Sequence, residues 1–271
     1  MRLGTAKNFR HSTPEEWAKI HHDLGLRAVV FPLDNRDDPA LADEYAAAAK
    51  HYDIAIAEAG IWLPLVCADE EQRKANIDYA VREMKFADRI GARCCVDFIG
   101  TYNGVRTEDS PLNFTDEAFE AAVKTIKEII NLSEPKTTKF ALEAMRNSLP
   151  ISPEQYLELL NEIGDDGFGV HLDPFNWALD ASMLPSSADI LDRSFDLLGG
   201  KIVSCHLKDL VADGEGVAEV MPTKGVFDIA HFFDRLKEYP DTPVIIEHLN
   251  STEEYLEALS LIDAKFGIMN L

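Results

Sequence analysis

Eight short apolar runs alternate with helical stretches along this chain, and that alternation restricts the fold more than any other feature. The runs begin near residues 2, 27, 53, 93, 139, 168, 202 and 243. They recur on average about every 34 residues, close to one unit of a ~250-residue (β/α)8 barrel. Helix boundaries are marked by capping residues. Thr13, Pro14 and Glu16 read as N-cap, first helical residue and capping-box partner. Trp17, Ile20, His21 and Leu24 then share one face before Gly25 ends the helix. Similar signals open helices at Thr115, at Ser152-Pro153 with Gln155, and at Ser251 with Glu254. The third strand is expected over Asp53–Trp62 and the fourth over Arg93–Ile99, with a long helix from Asp69 to Ile90 between them. Leu210–Val226 carries no strong period, and loops of that length inside a compact domain are usually functional.

No linker or break in composition divides the series, so a single domain over residues 1–271 is expected. Its fold class is α/β, a closed parallel (β/α)8 TIM barrel. An open doubly wound sheet is the rival, but neither GxGxxG nor GxxxxGKS/T follows the first strand.

Charge narrows the partners. With 26 Lys and Arg against 48 Asp and Glu, the formal net charge is −22. Nucleic acid and anionic membranes both need a basic surface, so neither is expected as a partner. No apolar run approaches the ~20 residues of a membrane span, and Met1–Ala6 lacks the apolar stretch of a signal peptide. Cys67, Cys94, Cys95 and Cys205 form no CxxC pair. They read as buried thiols in a reducing cytoplasm.

Four of the apolar runs end in an ionisable residue. Phe168–Leu172 leads into Asp173, Lys139–Leu142 into Glu143, Ile202–Cys205 into His206, and Val244–Ile246 into Glu247. A carboxylate at the tip of a buried strand is costly unless it is paired or binds a cation. Barrel active sites lie where the C-terminal ends of the strands meet. Glu143, Asp173, His206 and Glu247 come from strands five to eight, and three carboxylates with one imidazole suit an oxygen-preferring divalent ion. Mn²⁺ is the first candidate, with Mg²⁺, Co²⁺ or Fe²⁺ as alternatives.

The segments Leu142-Glu143, Leu172-Asp173-Pro174-Phe175-Asn176, Cys205-His206-Leu207-Lys208-Asp209 and Ile246-Glu247 resemble the sugar phosphate isomerase/epimerase-like superfamily of xylose-isomerase-like barrels. Ile56–Trp62 and Lys224–Asp228 are similar to it as well. The resemblance implies that Glu143, Asp173, His206 and Glu247 hold one Mn²⁺ or similar ion. It further implies that Glu143 and Glu247 act as base and acid on opposite faces of the substrate carbon, as in the ketose 3-epimerases. The expected activity is isomerisation or epimerisation of a keto-sugar or related polyol through a metal-bound enediolate. The alternative is a lyase of the same superfamily, whether dehydratase, decarboxylase or 3-keto-glycoside-cleaving enzyme. A metal-stabilised, non-catalytic partner subunit is a third class. The resemblance leaves room for a homo-oligomer, although no residue marks an interface.

Two departures bear on the substrate. Ketose 3-epimerases carry a histidine where this chain has Asn176, and an arginine shortly after the strand-seven histidine, where it has Lys208. The His206–Asp209 form is similar to that of inosose dehydratases. Lys208 shares a strand face with His206 and is expected either to hold or protonate a substrate oxygen or to pair with Asp209. Glu58 and Trp62 in the third strand share a face, with Trp62 able to stack on a sugar ring. Arg146 and His171 complete the substrate-binding candidates. His248, one residue past Glu247, is expected to point away from the site beneath the helices. Endonuclease-type relatives use three zinc ions and more strand-end histidines than this chain offers.

Overall fold

The structure, a computed structural model, describes residues 1–105 and 108–268. The elements run in the order β1 (Arg2–Thr5), α1 (Pro14–Asp23), β2 (Ala28–Val30), α2 (Pro39–His51), β3 (Ala55–Gly60), α3 (Glu70–Ile90), β4 (Cys94–Asp97), α4 (Asp116–Ser133) and β5 (Lys139–Glu143). Then follow α5 (Pro153–Ile163), β6 (Phe168–Leu172), α6 (Ser187–Leu198), β7 (Ile202–Leu207), β8 (Asp209–Asp213), β9 (Gly216–Val220), α7 (Ile229–Leu236), β10 (Pro243–Ile246) and α8 (Thr252–Phe266). Among the described residues, eight parallel strands close in the order β1-β10-β7-β6-β5-β4-β3-β2, with a helix packed outside each.

Capping chemistry sets where the helices start. The side chains of Thr13, Asp69, Thr115, Ser152 and Ser251 each accept a backbone N–H from the first turn of their helix. At Ser152 and Ser251 the capping box also reaches back. Gln155 accepts the Ile151 N–H at 2.9 Å and Glu254 the Asn250 N–H at 2.6 Å.

The barrel staves separate two apolar layers. Phe140, Leu142, Val170, Leu172, Cys205, Leu207, Val244 and Ile246 face outward into the continuous core beneath the helices. The lumen is filled by smaller side chains, including Ala28, Ala57, Ile245, Cys94, Val96 and Ala141. Strand alternation is interrupted where β2 meets β3. Val29 pairs with Ile56 but Val30 with Glu58, so Ala57 is an extra residue. Ile56 and Ala59 both face the outer core while Ala57 faces the lumen. The bulge therefore turns Glu58 inward beside Ala57, out of the regular two-residue period.

Two expected boundaries shift. The third strand occupies Ala55–Gly60 rather than Asp53–Trp62, because Trp62 adopts φ +58° and cannot extend a strand. The unpatterned stretch after Lys208 is a two-stranded antiparallel hairpin, β8–β9. Asp209 anchors it by accepting backbone N–H groups from Leu210, Thr223, Gly225 and Phe227 at 2.8 to 3.0 Å.

Tyr156 of α5 locks the staves next to the site. Its buried hydroxyl accepts the Leu142 N–H at 3.0 Å and lies 2.9 and 3.0 Å from the carbonyls of Leu142 and Gly169. Tyr156→Phe removes a buried hydroxyl in contact with three backbone groups and is expected to cost ~1–3 kcal/mol in urea unfolding. A loss below ~0.5 kcal/mol would show that the hydroxyl is dispensable.

Candidate metal centre

Glu143 is the last residue of β5, His206 lies near the end of β7, and Asp173 and Glu247 follow β6 and β10 directly. Each leaves its strand at the same end of the barrel. One ligand atom from each of the four lies within 4.8 Å of those of the other three, and all four residues are buried. His206 Nδ1 stands at the centre, 2.9 Å from Glu247 Oε2, 3.4 Å from Glu143 Oε1 and 3.8 Å from Asp173 Oδ2. None of these contacts is aligned as a hydrogen bond, so Nδ1 is a buried polar atom without a partner. Three oxygen donors and one nitrogen around such an atom fit a divalent cation.

The surrounding polar groups bind the carboxylates rather than one another. Lys208 Nζ lies 2.7 Å from Asp173 Oδ2, 2.8 Å from Glu247 Oε1 and 3.2 Å from Glu219 Oε1. The expected pairing with Asp209 does not occur, because Asp209 is committed to the backbone of the hairpin. The Asn176 amide lies 3.1 Å from Glu143 Oε1, 3.0 Å from Asp173 Oδ2 and 2.8 Å from the Ala144 carbonyl. It therefore brackets two of the four candidate ligands.

Burial and charge pull these groups apart in proton affinity. Burial raises the Glu143 carboxyl to about 7 against the opposing influence of His206. Burial resists ionisation of Glu247 too, but His206 and Lys208 outweigh it and hold that carboxyl well below its usual range. Asp173 is lowered in the same way, chiefly by Lys208 against burial. His206 resists protonation through burial, yet Glu247, Glu58 and Glu143 raise it well above an ordinary imidazole.

Glu58 and His171 form a deeper layer. Glu58 Oε1 accepts from His206 Nε2 at 3.3 Å, and its Oε2 lies 3.3 Å from His171 Nδ1. The rings of His171 and His206 meet edge to face with centroids 4.1 Å apart. Trp62 lies past the end of β3, yet its ring reaches the same lumen side as Glu58. It folds back over Gly60, where an added Cβ would sit 1.9 Å from the indole Nε1. From there it packs half-buried against Cys94, Val96 and Ala141 and stacks on Phe98. Arg146 is exposed at the rim and donates to the Leu179 carbonyl at 2.9 Å.

A family profile for the xylose isomerase-like TIM barrel matches residues 18–265. The chain belongs to that family. No curated protein sequence matches it significantly. Among solved structures, the IolI protein with a bound zinc atom superposes with a TM-score of 0.74 at 19% identity, covering 100% of both chains. Endonuclease IV from Thermus thermophilus gives 0.75 at 15% identity, covering 97% of this chain and 98% of that one. The D-psicose 3-epimerase from Clostridium cellulolyticum gives 0.70 at 12% identity, with both chains covered completely. At such identities the likeness concerns the fold.

Two groups at the mouth of this xylose isomerase-like barrel escape the sequence reading. Glu219 arrives on the β8–β9 hairpin and accepts from His248 Nδ1 at 2.7 Å. His248, expected beneath the helices, adopts φ +56° and turns out to the mouth, with Nε2 3.4 Å from Glu247 Oε2. With Lys208, Met221, Asn250 and Glu247 these two line a cavity of about 250 Å³. A wider groove of about 980 Å³ runs over the outer helices near Arg73, Phe114 and Lys127, away from the strand ends.

Proposed function

We propose that the protein is a divalent-metal-dependent isomerase or epimerase acting on a keto-sugar or related polyol. The observation that carries this reading is the meeting of two buried glutamates, Glu143 and Glu247, in one four-residue donor set with Asp173 and His206. A divalent ion held there, Mn²⁺ in our assignment with Mg²⁺, Co²⁺ or Fe²⁺ as alternatives, supplies the positive charge that acidifies a C–H beside a carbonyl. Whichever of the two glutamates is ionised removes that proton from one face of the carbon, and the other, protonated, supplies a proton to the opposite face. Lys208 and Asn176 hold the carboxylates in place through the contacts described above. The Trp62 face offers an apolar surface to a sugar ring. A cavity of about 250 Å³ opens beside Glu247 and Lys208 and gives a small molecule room next to the donor set. The net charge of −22 speaks against nucleic acid, the substrate class named by the endonuclease IV neighbour. Four buried free thiols suit a reducing cytoplasm.

A lyase is the second reading, favoured by one observation. The Lys208 ammonium, buried against Asp173 and Glu247, is a proton donor for a departing hydroxide. Such an enzyme begins with the same proton removal.

Solvent-deuterium exchange separates the two. The Mn²⁺-loaded protein is incubated in D₂O with a panel of ketoses, inososes and 3-keto sugars and followed by NMR and mass spectrometry. Deuterium incorporation with recovery of an isomer is expected. Turnover with loss of water or another group supports the lyase, and absence of exchange across the panel with metal bound overturns both.

A further inference from the structure

We propose that Glu58 is the positioning residue for His206, fixing the imidazole so that its Nδ1 lone pair faces Glu143, Asp173 and Glu247. The inference rests on the metal-centre reading and adds to it a residue from the opposite side of the barrel. A neutral imidazole carries one N–H, and the hydrogen bond made by one nitrogen decides what the other presents. Glu58 Oε1 sits 3.3 Å from Nε2 and accepts a hydrogen bond from it. When a cation takes the place of the second ring proton, Nδ1 is left as a lone pair, and it is the buried atom that lacks a hydrogen-bond partner among the three carboxylates. Outer carboxylates that orient a ligand histidine and raise its basicity are a general device of metal sites.

The fold makes a special provision for this contact. Regular alternation along β3 would send Glu58 outward with the helices. The extra residue at Ala57 turns it into the lumen instead. A fully buried carboxylate there is costly unless it is spent on a specific partner. His171 completes the frame. Its ring stands at 78° to that of His206 at 4.1 Å, and its Nδ1 lies 3.3 Å from the other Glu58 oxygen. The imidazole of His206 is thus walled on one side and held at its far nitrogen.

The test uses the full chain, with Mn²⁺ for affinity and stoichiometry and Zn²⁺ for spectroscopy. By titration calorimetry the wild type is expected to bind one equivalent of Mn²⁺, and Glu58→Gln one equivalent about 10–100-fold more weakly, with Glu58→Asp recovering part of the loss. In the ¹⁵N-histidine spectrum of the Zn²⁺-loaded wild type, His206 is expected to show a protonated, solvent-protected Nε2 and a metal-bound Nδ1, and the protection is expected to vanish in Glu58→Ala, which leaves no acceptor. The wild-type spectrum stands even if a variant does not fold. An unprotonated Nε2 in it, an unchanged affinity in Glu58→Gln, or an unchanged protection in Glu58→Ala overturns the proposal. Two equivalents in the wild type falling to one in Glu58→Gln overturns it as well, because Glu58 would then be a ligand. A wild type that binds no divalent ion overturns the metal-centre reading itself, and that result is recognisable without any variant.

Discussion

Glu143→Gln is expected to lower kcat by about a thousandfold, within the ~10²–10⁴-fold that a positioned acid or base contributes. The substitution preserves shape and leaves an amide oxygen where a carboxylate oxygen stood, while removing a group that takes or gives the proton. Glu247→Gln is expected to behave likewise. The double variant should be little worse than either single one, because groups that act as one unit do not contribute additively. Turnover must be measured with metal occupancy confirmed by elemental analysis, so that lost chemistry is separated from lost metal. A metal-loaded Glu143→Gln protein that keeps near-wild-type turnover would remove Glu143 from the reaction.

The second large effect concerns stability. Lys208 is 2% exposed and lies against Asp173 and Glu247, with Glu219 close by. Lys208→Met leaves two buried carboxylates facing one another without their ammonium. For chelator-treated protein the expected cost is about 3–5 kcal/mol in urea unfolding at pH 7, the range for breaking a buried pair from one side. The pH dependence has a definite sign. Lys208 and His206 hold the Asp173 and Glu247 carboxyls below their unfolded values of about 4. Their stabilising contribution is therefore present above that pH and lost as the pH falls through the folded values. The gap between wild type and Lys208→Met should accordingly narrow in acid. Saturating Mn²⁺ should also narrow it at pH 7, since a cation among the same oxygens replaces the missing charge. Equal stability of the two proteins without metal would show that the ammonium contributes nothing.

The eight strand–helix units could be read along the chain because every helix but α6 opens on a capping side chain, such as Thr13, Ser152 or Ser251, that announces itself locally. The four candidate ligands were legible for a similar reason. Glu143, Asp173, His206 and Glu247 each end an apolar run, and a barrel brings all such ends to one face. What could not be read depends on departures from regular period. Glu58 faces the lumen only because of the extra residue at Ala57, and the alternating pattern of β3 gives no sign of it. His248 was assigned by extending strand alternation one residue past Glu247, but β10 stops at Ile246 and φ +56° reverses the direction of the side chain. Glu219 belongs to a hairpin whose strands are short and mixed in character, so no period drew attention to it. Lys208 was weighed against its neighbour Asp209. The partners that matter, Asp173 and Glu247, are 35 and 39 residues away.

The clamp at Asp209 bears on how such an enzyme changes what it accepts. One carboxylate grips Leu210 at the start of the hairpin excursion and Thr223, Gly225 and Phe227 at its return. Gly225 is required at that junction, since a Cβ there would fall 2.3 Å from the Asp209 oxygen. The ordering entropy of the excursion is thus spent during folding and not at the moment of capture. An incoming molecule meets a finished wall carrying Glu219. The stretch between the gripped ends is, in effect, a cassette whose sequence can be rewritten to suit new cargo while the cylinder beneath stays as it is.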